Sequence, residues 1–279
     1  MDSGAQLGLD FETTRLVKVT PSRLAGWADC ARRYRMTYLD RPAPPRGGAR
    51  APSTLGAVVH LALRALFDLP PADRTREAAA RLVDKNWSSE GFRDAAQAAA
   101  YRERARGWVA DYAAELDPEA DPVGREQWVS VATERIVAEG RVDRIDRRGA
   151  ELVVVDYKSG RHVPTERDAA GSPALAIYAM GVERTLRRTC VQVELHHLPS
   201  GEVHAWRHDR ASLAEHLHRA ETAAGELADA ADALAAGGDP EALFPPRPAA
   251  RCGSCDMRRN CPEGRAAAPE SAPWAQLIP

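Results

Sequence analysis

No run of about eighteen consecutive apolar residues occurs in the 279-residue chain, which removes a membrane-spanning helix from consideration. The first residues, MDSGAQLGLDFETTR, also lack the basic start and apolar core of an export signal, so the expectation is a cytoplasmic chain with no membrane partner. Charge of one sign is lacking too, since 38 Lys and Arg stand against 40 Asp and Glu for a formal net charge of −2. That balance argues against a protein that coats nucleic acid over its whole surface and leaves open a local basic channel. Cysteine is scarce at five residues, and in a reducing compartment these are not a disulfide framework. Their spacing is therefore read as metal-ligand spacing or core packing. What remains is a chain with an ordinary apolar fraction, 44%, long enough to bury a substantial core without cross-links.

The stretch GRVDRIDRRGAELVVVDYKSG, Gly140 to Gly160, carries the most chemistry. Two apolar runs, Arg141 to Ile145 and Leu152 to Tyr157, flank a charged, glycine-containing turn at Arg147 to Ala150, the pattern of a β-hairpin. Residues two apart on a strand share a face, so Asp156 and Lys158 project together, and pairing across the hairpin brings Asp143 to the same end. Two carboxylates that close repel unless a cation lies between them, and oxygen ligands select Mg²⁺ or Mn²⁺ over a soft metal. A lysine beside such a site can orient or deprotonate a water, which suits metal-assisted hydrolysis of a phosphodiester. A D-x-K triplet also arises by chance at strand ends. Here, however, Asp156 directly follows Val153, Val154 and Val155, where a purely structural strand would end in a turn residue.

The words GRVDRID and VVDYKSG resemble the second and third motifs of the PD-(D/E)XK nucleases, specifically the RecB-like family. LGAVVH, Leu55 to His60, is similar to that family's first motif, L-G-x-x-x-H. Alone, His60 in an apolar helix reads as a core residue. The resemblance implies instead that His60, Asp143 and Asp156 bind the metal, that the Tyr157 carbonyl is a further ligand, and that Lys158 positions the attacking water. Asp143, Asp156 and Lys158 would then be the catalytic set. The family's Q-x-x-x-Y helix is matched at Tyr178, expected to touch DNA, but Ala174 stands where the glutamine would be. That departure bears on how the nucleic acid or the lysine is held.

A second centre is written in the cysteines. Cys252, Cys255 and Cys261 form C-x-x-C-x-x-x-x-x-C, three thiolates that want a fourth ligand, and Zn²⁺ or an iron-sulfur cluster would accept one. Cys30 is the natural candidate, while Cys190 reads as buried packing. The setting of Cys30, S-x-L-x-x-W-x-x-C, with the terminal triple and a proline after Cys261, resembles the iron-sulfur subset of RecB-like nucleases, which includes the AddB nuclease domain and CRISPR-associated exonucleases. The resemblance implies a [4Fe-4S] cluster on Cys30, Cys252, Cys255 and Cys261 that staples the two ends of the chain. A structural Zn²⁺ remains the alternative.

Between these motifs, Thr20 to Leu39 reads as one helix containing Cys30. The segment from Arg15 to Arg50 is the most basic, and Arg32, Arg33 and Arg35 are expected to hold the DNA backbone. Pro42 to Pro52 reads as a loop, and Ser53 to Leu69 as an apolar helix. Residues 70–125 read as a helical subdomain, Glu126 to Val137 as one strand with Glu134 facing water, Ser172 to Leu186 and Arg210 to Ala236 as helices, and Val191 to Arg207 as a second hairpin. The expected fold is α/β: a restriction-endonuclease-like core with a mixed central sheet flanked by helices. It forms one nuclease domain over 15–264, with a cysteine segment at 250–264 and a flexible tail at 265–279. No G-x-x-x-x-G-K-[ST] phosphate loop is present, so the helicase half of larger family members is not expected and the chain reads as a free-standing nuclease. The resemblance implies a DNA exonuclease acting on single strands or ends in repair or recombination, with a helicase partner a further prospect. The competing expectation is a DNA-binding or assembly module, with a structural zinc or iron-sulfur site, that does not cleave.

Overall fold

The computed structural model describes residues 16–117 and 120–277, so Arg15 of the basic segment lies outside the described residues. The chain runs β1 (Val17–Val19), α1 (Pro21–Asp29), α2 (Ala31–Tyr38), α3 (Ala51–Leu66), α4 (Arg76–Asn86), α5 (Ala95–Glu115), β2 (Gly124–Ala132), β3 (Ile136–Arg148) and β4 (Glu151–Lys158). It continues through α6 (Glu166–Gly171), α7 (Pro173–Leu186), β5 (Cys190–His197), β6 (Glu202–Arg207), α8 (Arg210–Ala235), α9 (Pro240–Leu243) and α10 (Pro262–Ala267). Six strands make one mixed sheet in the order β1-β3-β4-β5-β6, with β2 on β3. β1 with β3 and β4 with β5 are parallel, and the other pairs are antiparallel. The helices cover both faces, so the α/β expectation holds. No helix among the described residues is long and apolar enough to cross a membrane.

The hairpin forms where the pattern places it, with Arg148 opposite Glu151 and Gly149 at φ +63, a turn conformation that glycine adopts without a Cβ penalty. The stretch expected as one strand over Glu126 to Val137 is instead two. The Thr133 hydroxyl accepts from the N–H groups of Arg135 and Ile136 at 3.1 Å, closing a turn that contains Glu134. Thr-Glu-Arg carries no glycine or proline, so nothing in the local alternation announces that reversal. The helix expected over Thr20 to Leu39 is also broken. Cys30 is extended, at φ −166 and ψ 109; its N–H ends α1 on the Gly26 carbonyl, and its own carbonyl accepts the first bond of α2, from Tyr34. Cys30 is therefore a joint between two helices.

α3, α4 and α5 form one layer, in which Leu55, Val59, Leu63, Val83 and Val109 pack on Val153, Val155 and Tyr157 of β4. Segment 70–125 thus lies directly on the sheet. Leu55, Val58, Val59, Leu63 and Leu66 are at 2% exposure or less, each contributing about 1.5–3 kcal/mol by leaving water, which is why α3 is held firmly enough to fix the position of His60. α7 covers the other face, with Leu175, Ala179 and Val182 against Val142, Ile145, Val154 and Val193.

Two features of β3 make room for a site. The edge of β3 opposite β2 carries β1 at 136–138 and β4 at 144–148, which leaves 139–143 without a ladder partner on that side. In addition, Val142 and Ile145 pack in the same cluster, whereas Arg144 faces Phe67, Tyr112 and Tyr157 on the opposite layer. Strict alternation forbids that combination, so the strand's facing slips at Asp143.

The C-terminal residues fold back over α1, α2 and the start of α3. Phe244 is buried against Trp27, Arg50 donates to the carbonyls of Ser271 and Ala272, and Leu277 is buried in the α3 cluster. The described part of the segment expected as a flexible tail is anchored at its far end while much of it stays exposed. Trp274 and Leu277 are the apolar anchors responsible.

Candidate active site and cysteine cavity

His60 projects from α3 toward the unpaired stretch of β3, with Nδ1 3.3 Å from Asp143 Oδ1. The other oxygen of Asp143, Oδ2, accepts from the Tyr157 N–H at 3.0 Å. That N–H belongs to β4 just beyond its last pairing with β3, so the side chain occupies the place of a missing ladder bond and is oriented by the backbone. Asp156 and Lys158, on the same strand, form an ion pair.

Glu126 completes the group. Its backbone is left-handed, at φ +47, a conformation that costs a non-glycine residue about 1–2 kcal/mol. Its carboxylate is held 2.7 Å from Arg141 Nε. Among the described residues, His60, Glu126 and Asp143 are the set of three potential metal ligands whose donor atoms all lie within 4.8 Å of one another. The sequence pattern marks Glu126 only as the start of a strand. No local signal marks it as a candidate ligand, because its approach depends on the β2–β3 pairing.

The electrostatics fit a small divalent cation. Burial pushes the Asp156 carboxyl above its ordinary range and the charge of Asp143 adds to that, against the opposing pull of Lys158. Burial disfavours charge on His60, but its hydrogen bond to Asp143 and the charges of Asp143, Asp156 and Glu126 outweigh it and raise its pKa. Tyr178 reaches the same cavity from α7 and is pushed up to about 12 by burial and by the charges of Asp156 and Asp143. In each case the neighbouring carboxylates add to the shift, a repulsion that a cation would relieve, and an imidazole with two carboxylates is a donor set such an ion accepts.

Behind β4 lies a buried polar network. Arg144 donates to the hydroxyls of Tyr112, at 2.9 Å, and Tyr157, at 3.2 Å, and to Asp146 at 2.8 Å. Tyr112 continues to His196 at 2.8 Å, and His196 to Glu194 at 2.9 Å. The network clamps the ring of Tyr157, the residue whose N–H holds Asp143.

The structure gives two of the arginines expected on DNA a different employment. Arg32, 5% exposed, is ion-paired with Glu241 and with Glu263, the latter at 2.7 Å, and Arg35, 8% exposed, with Asp40 at 3.2 Å and Glu241 at 3.3 Å. Their guanidinium groups tie α2 to the C-terminal segment and do not face the surface. Arg33 is half-buried, 2.7 Å from Asp256. Cys30, Cys252, Cys255 and Cys261 all line one cavity of about 690 Å³, and Cys190 is buried elsewhere, in β5. Backbone N–H groups approach two of the sulfurs, Gly264 to Cys261 at 3.3 Å and Ala249 to Cys252 at 3.4 Å. A Cβ at Gly264 would lie 3.3 Å from the Cys261 sulfur and 3.7 Å from Cys252 Cβ, so the glycine keeps space open between them.

A mixed sheet that opens beside Asp143, with an acid and a lysine at the adjoining strand end and helices on both faces, is a restriction-endonuclease-like nuclease core. The family model of the PD-(D/E)XK nuclease superfamily matches residues 18–262, and the chain belongs to that superfamily. Its members use divalent metals on nucleic acid. No curated protein matches the chain in sequence. A crystal structure from Eubacterium rectale, provisionally named an exonuclease, superposes with a TM-score of 0.51 over 92% of this chain and 94% of that one at 11% identity, a likeness of fold.

Proposed function

We propose that the protein is a Mg²⁺- or Mn²⁺-dependent deoxyribonuclease of the RecB-like kind, an exonuclease acting on single-stranded DNA or DNA ends in repair or recombination in the cytoplasm. A helicase partner would supply unwound strands. The observation that carries the reading is the convergence of His60, Glu126 and Asp143 in the unpaired stretch of the sheet, beside the Asp156–Lys158 pair. His60, Asp143 and Asp156, with the Tyr157 carbonyl and now Glu126, are the groups that would hold the metal. When bound, it would supply Lewis-acid polarisation and charge neutralisation at the scissile phosphate.

Lys158 is half-exposed, so its ammonium can reach a water or a phosphate oxygen from the solvent side while Asp156 fixes its stem. Water adds to phosphorus, the bond to the leaving sugar oxygen breaks, and that oxygen takes up a proton. Asp143 stays in register throughout because Tyr157 N–H holds the oxygen that His60 does not.

The same proposal includes a [4Fe-4S] cluster on Cys30, Cys252, Cys255 and Cys261. Support comes from the shared cavity that all four cysteines line. Anaerobic purification followed by an absorption spectrum and a cleavage assay tests both parts. Labelled single- and double-stranded DNA is expected to be degraded with Mn²⁺ and preserved with a chelator, by a brown protein. An intact substrate under all metal conditions would leave a non-cleaving DNA-binding module, and a colourless protein holding one zinc would reject the cluster.

A further inference from the structure

The cavity around the candidate ligands is larger than a metal site requires. Its volume is about 890 Å³, and Leu61, Arg64, Trp128 and Arg141 line it together with His60, Glu126 and Asp143. Trp128 is 61% exposed and Leu61 47% exposed, which sets them apart from most large apolar side chains of this molecule. Trp128 lies on β2 opposite Arg141, and its neighbour Val129 is buried in the cluster under α7. Alternation along the strand therefore points the indole to the other face, beside α3, which leaves it uncovered. Leu61 follows His60 directly on α3, and Arg64 lies one turn further along that helix. Leaving Trp128 and Leu61 exposed forgoes the stabilisation that burying a large apolar side chain supplies, so the fold gives no reason for their placement.

We infer that Trp128 is a stacking platform for an unpaired base of the strand being cut, next to the reacting phosphate, and that it selects single strands or frayed ends over intact duplex. The inference rests on the nuclease reading of the site. In a duplex each base face is covered by its neighbours, so an indole beside the reacting phosphate gains contact only from a base that has left the stack. Stacking needs no particular base, because every base presents a π-face, and it accompanies cationic groups that track the backbone. Arg64 and Arg141 are those groups, the latter set in place by Glu126 at 2.7 Å. Leu61 supplies apolar surface on the α3 side of the same cavity.

The test compares wild type, Trp128→Ala and Trp128→Phe on an oligothymidylate strand and on a blunt duplex in Mn²⁺. For Trp128→Ala the ratio of kcat/KM on single strand to that on duplex is expected to fall about tenfold or more, through KM, and Trp128→Phe to recover most of it. An equal loss on both substrates, or no loss, overturns the inference. A second measurement does not need cleavage: with Ca²⁺ in place of Mn²⁺, the oligonucleotide should quench tryptophan emission of wild type, Trp128→Phe should lose that quench, and an abasic strand should fail to produce it. A protein that cuts DNA with no dependence on Trp128 keeps the nuclease reading and sinks the platform. One that cuts nothing but shows the base-dependent quench keeps the platform and sinks the nuclease. A quench that survives in Trp128→Phe, or that the abasic strand also produces, counts against the platform and leaves Trp128 to a protein partner.

Discussion

At the scale of single residues, Asp143 is the hinge of the site, because one oxygen meets His60 and the other is held by a backbone N–H of the neighbouring strand. Asp156 and Lys158 lie off that axis, and their substitution should separate chemistry from folding. Asp156→Ala and Lys158→Ala are each expected to lose on the order of a hundredfold or more in cleavage rate. Their thermal midpoints should stay within about 3 °C of wild type, since Lys158 can hydrate when its partner is removed. Near wild-type rates in both would reject the assignment. Glu126 makes a different demand, as it holds a left-handed backbone at φ +47 that a glycine would adopt freely. Glu126→Gly should be about 1 kcal/mol more stable than Glu126→Ala in denaturant melts. Both variants should need more Mn²⁺ for half-maximal activity than wild type. Equal stability of the two would show that the conformation carries no strain.

At the scale of elements, the site exists because β3 is paired unevenly. Gly140 lies in the unpaired stretch, and a Cβ there would sit 2.4 Å from Tyr178 Cε1, so the absence of a side chain is what admits the tyrosine from α7. Gly140→Ala is expected to cost about 1–3 kcal/mol by overpacking. Part of that should return in the Gly140→Ala/Tyr178→Leu pair, and a double-mutant cycle with no coupling would place the tyrosine elsewhere. On β5, Glu194 is buried. Burial works against its charge, yet the hydrogen bond to His196 and the guanidinium of Arg148 more than offset that and hold its carboxyl down at about 2 against an ordinary 4.5. A carboxyl depressed in this way stabilises the fold above its unfolded value and loses that contribution as pH falls through its folded value. Glu194→Gln should therefore cost about 2 kcal/mol at pH 7. The gap to wild type should narrow between pH 4.5 and about 2. A gap that stays constant over that window would assign the cost to packing alone.

At the scale of the whole molecule, the two ends of the described chain meet in one place. Cys30, at the joint of α1 and α2, faces the cavity that also holds Cys252, Cys255 and Cys261, and the buried Arg32 and Arg35 reach Glu241 and Glu263 across the same seam. A cluster bound there would make metal-binding free energy part of folding free energy. Cys30→Ser is expected to bleach the protein and destabilise it as much as any of the three late substitutions, in visible spectra and thermal melts. Cys190→Ala should keep the colour, since that thiol is buried in the sheet and pushed up to about 12, chiefly by burial. Colour retained in Cys30→Ser but lost in Cys190→Ala would overturn the ligand set.

What the sequence by itself determined is what neighbours along the chain can encode. The hairpin from Gly140 to Lys158, the glycine of its turn, the apolar stripe of α3 and the helix of α7 all follow from periods of two or 3.6 residues and from turn chemistry. The placement of Asp156 and Lys158 on one strand end was legible for the same reason. Only the tertiary structure decided the rest. Glu126 joins His60 and Asp143 through a left-handed residue and a cross-strand pairing, and the slip in facing at Asp143 arises where the β3–β4 pairing ends. Arg32 and Arg35 read as a basic surface because their partners, Glu241 and Glu263, lie more than two hundred positions away along the chain. A pattern in the sequence samples a few residues at a time, whereas burial and charge pairing depend on which distant segment the folded chain lays alongside. At Cys30 and at the gap beside Gly140, that distant segment supplies the chemistry.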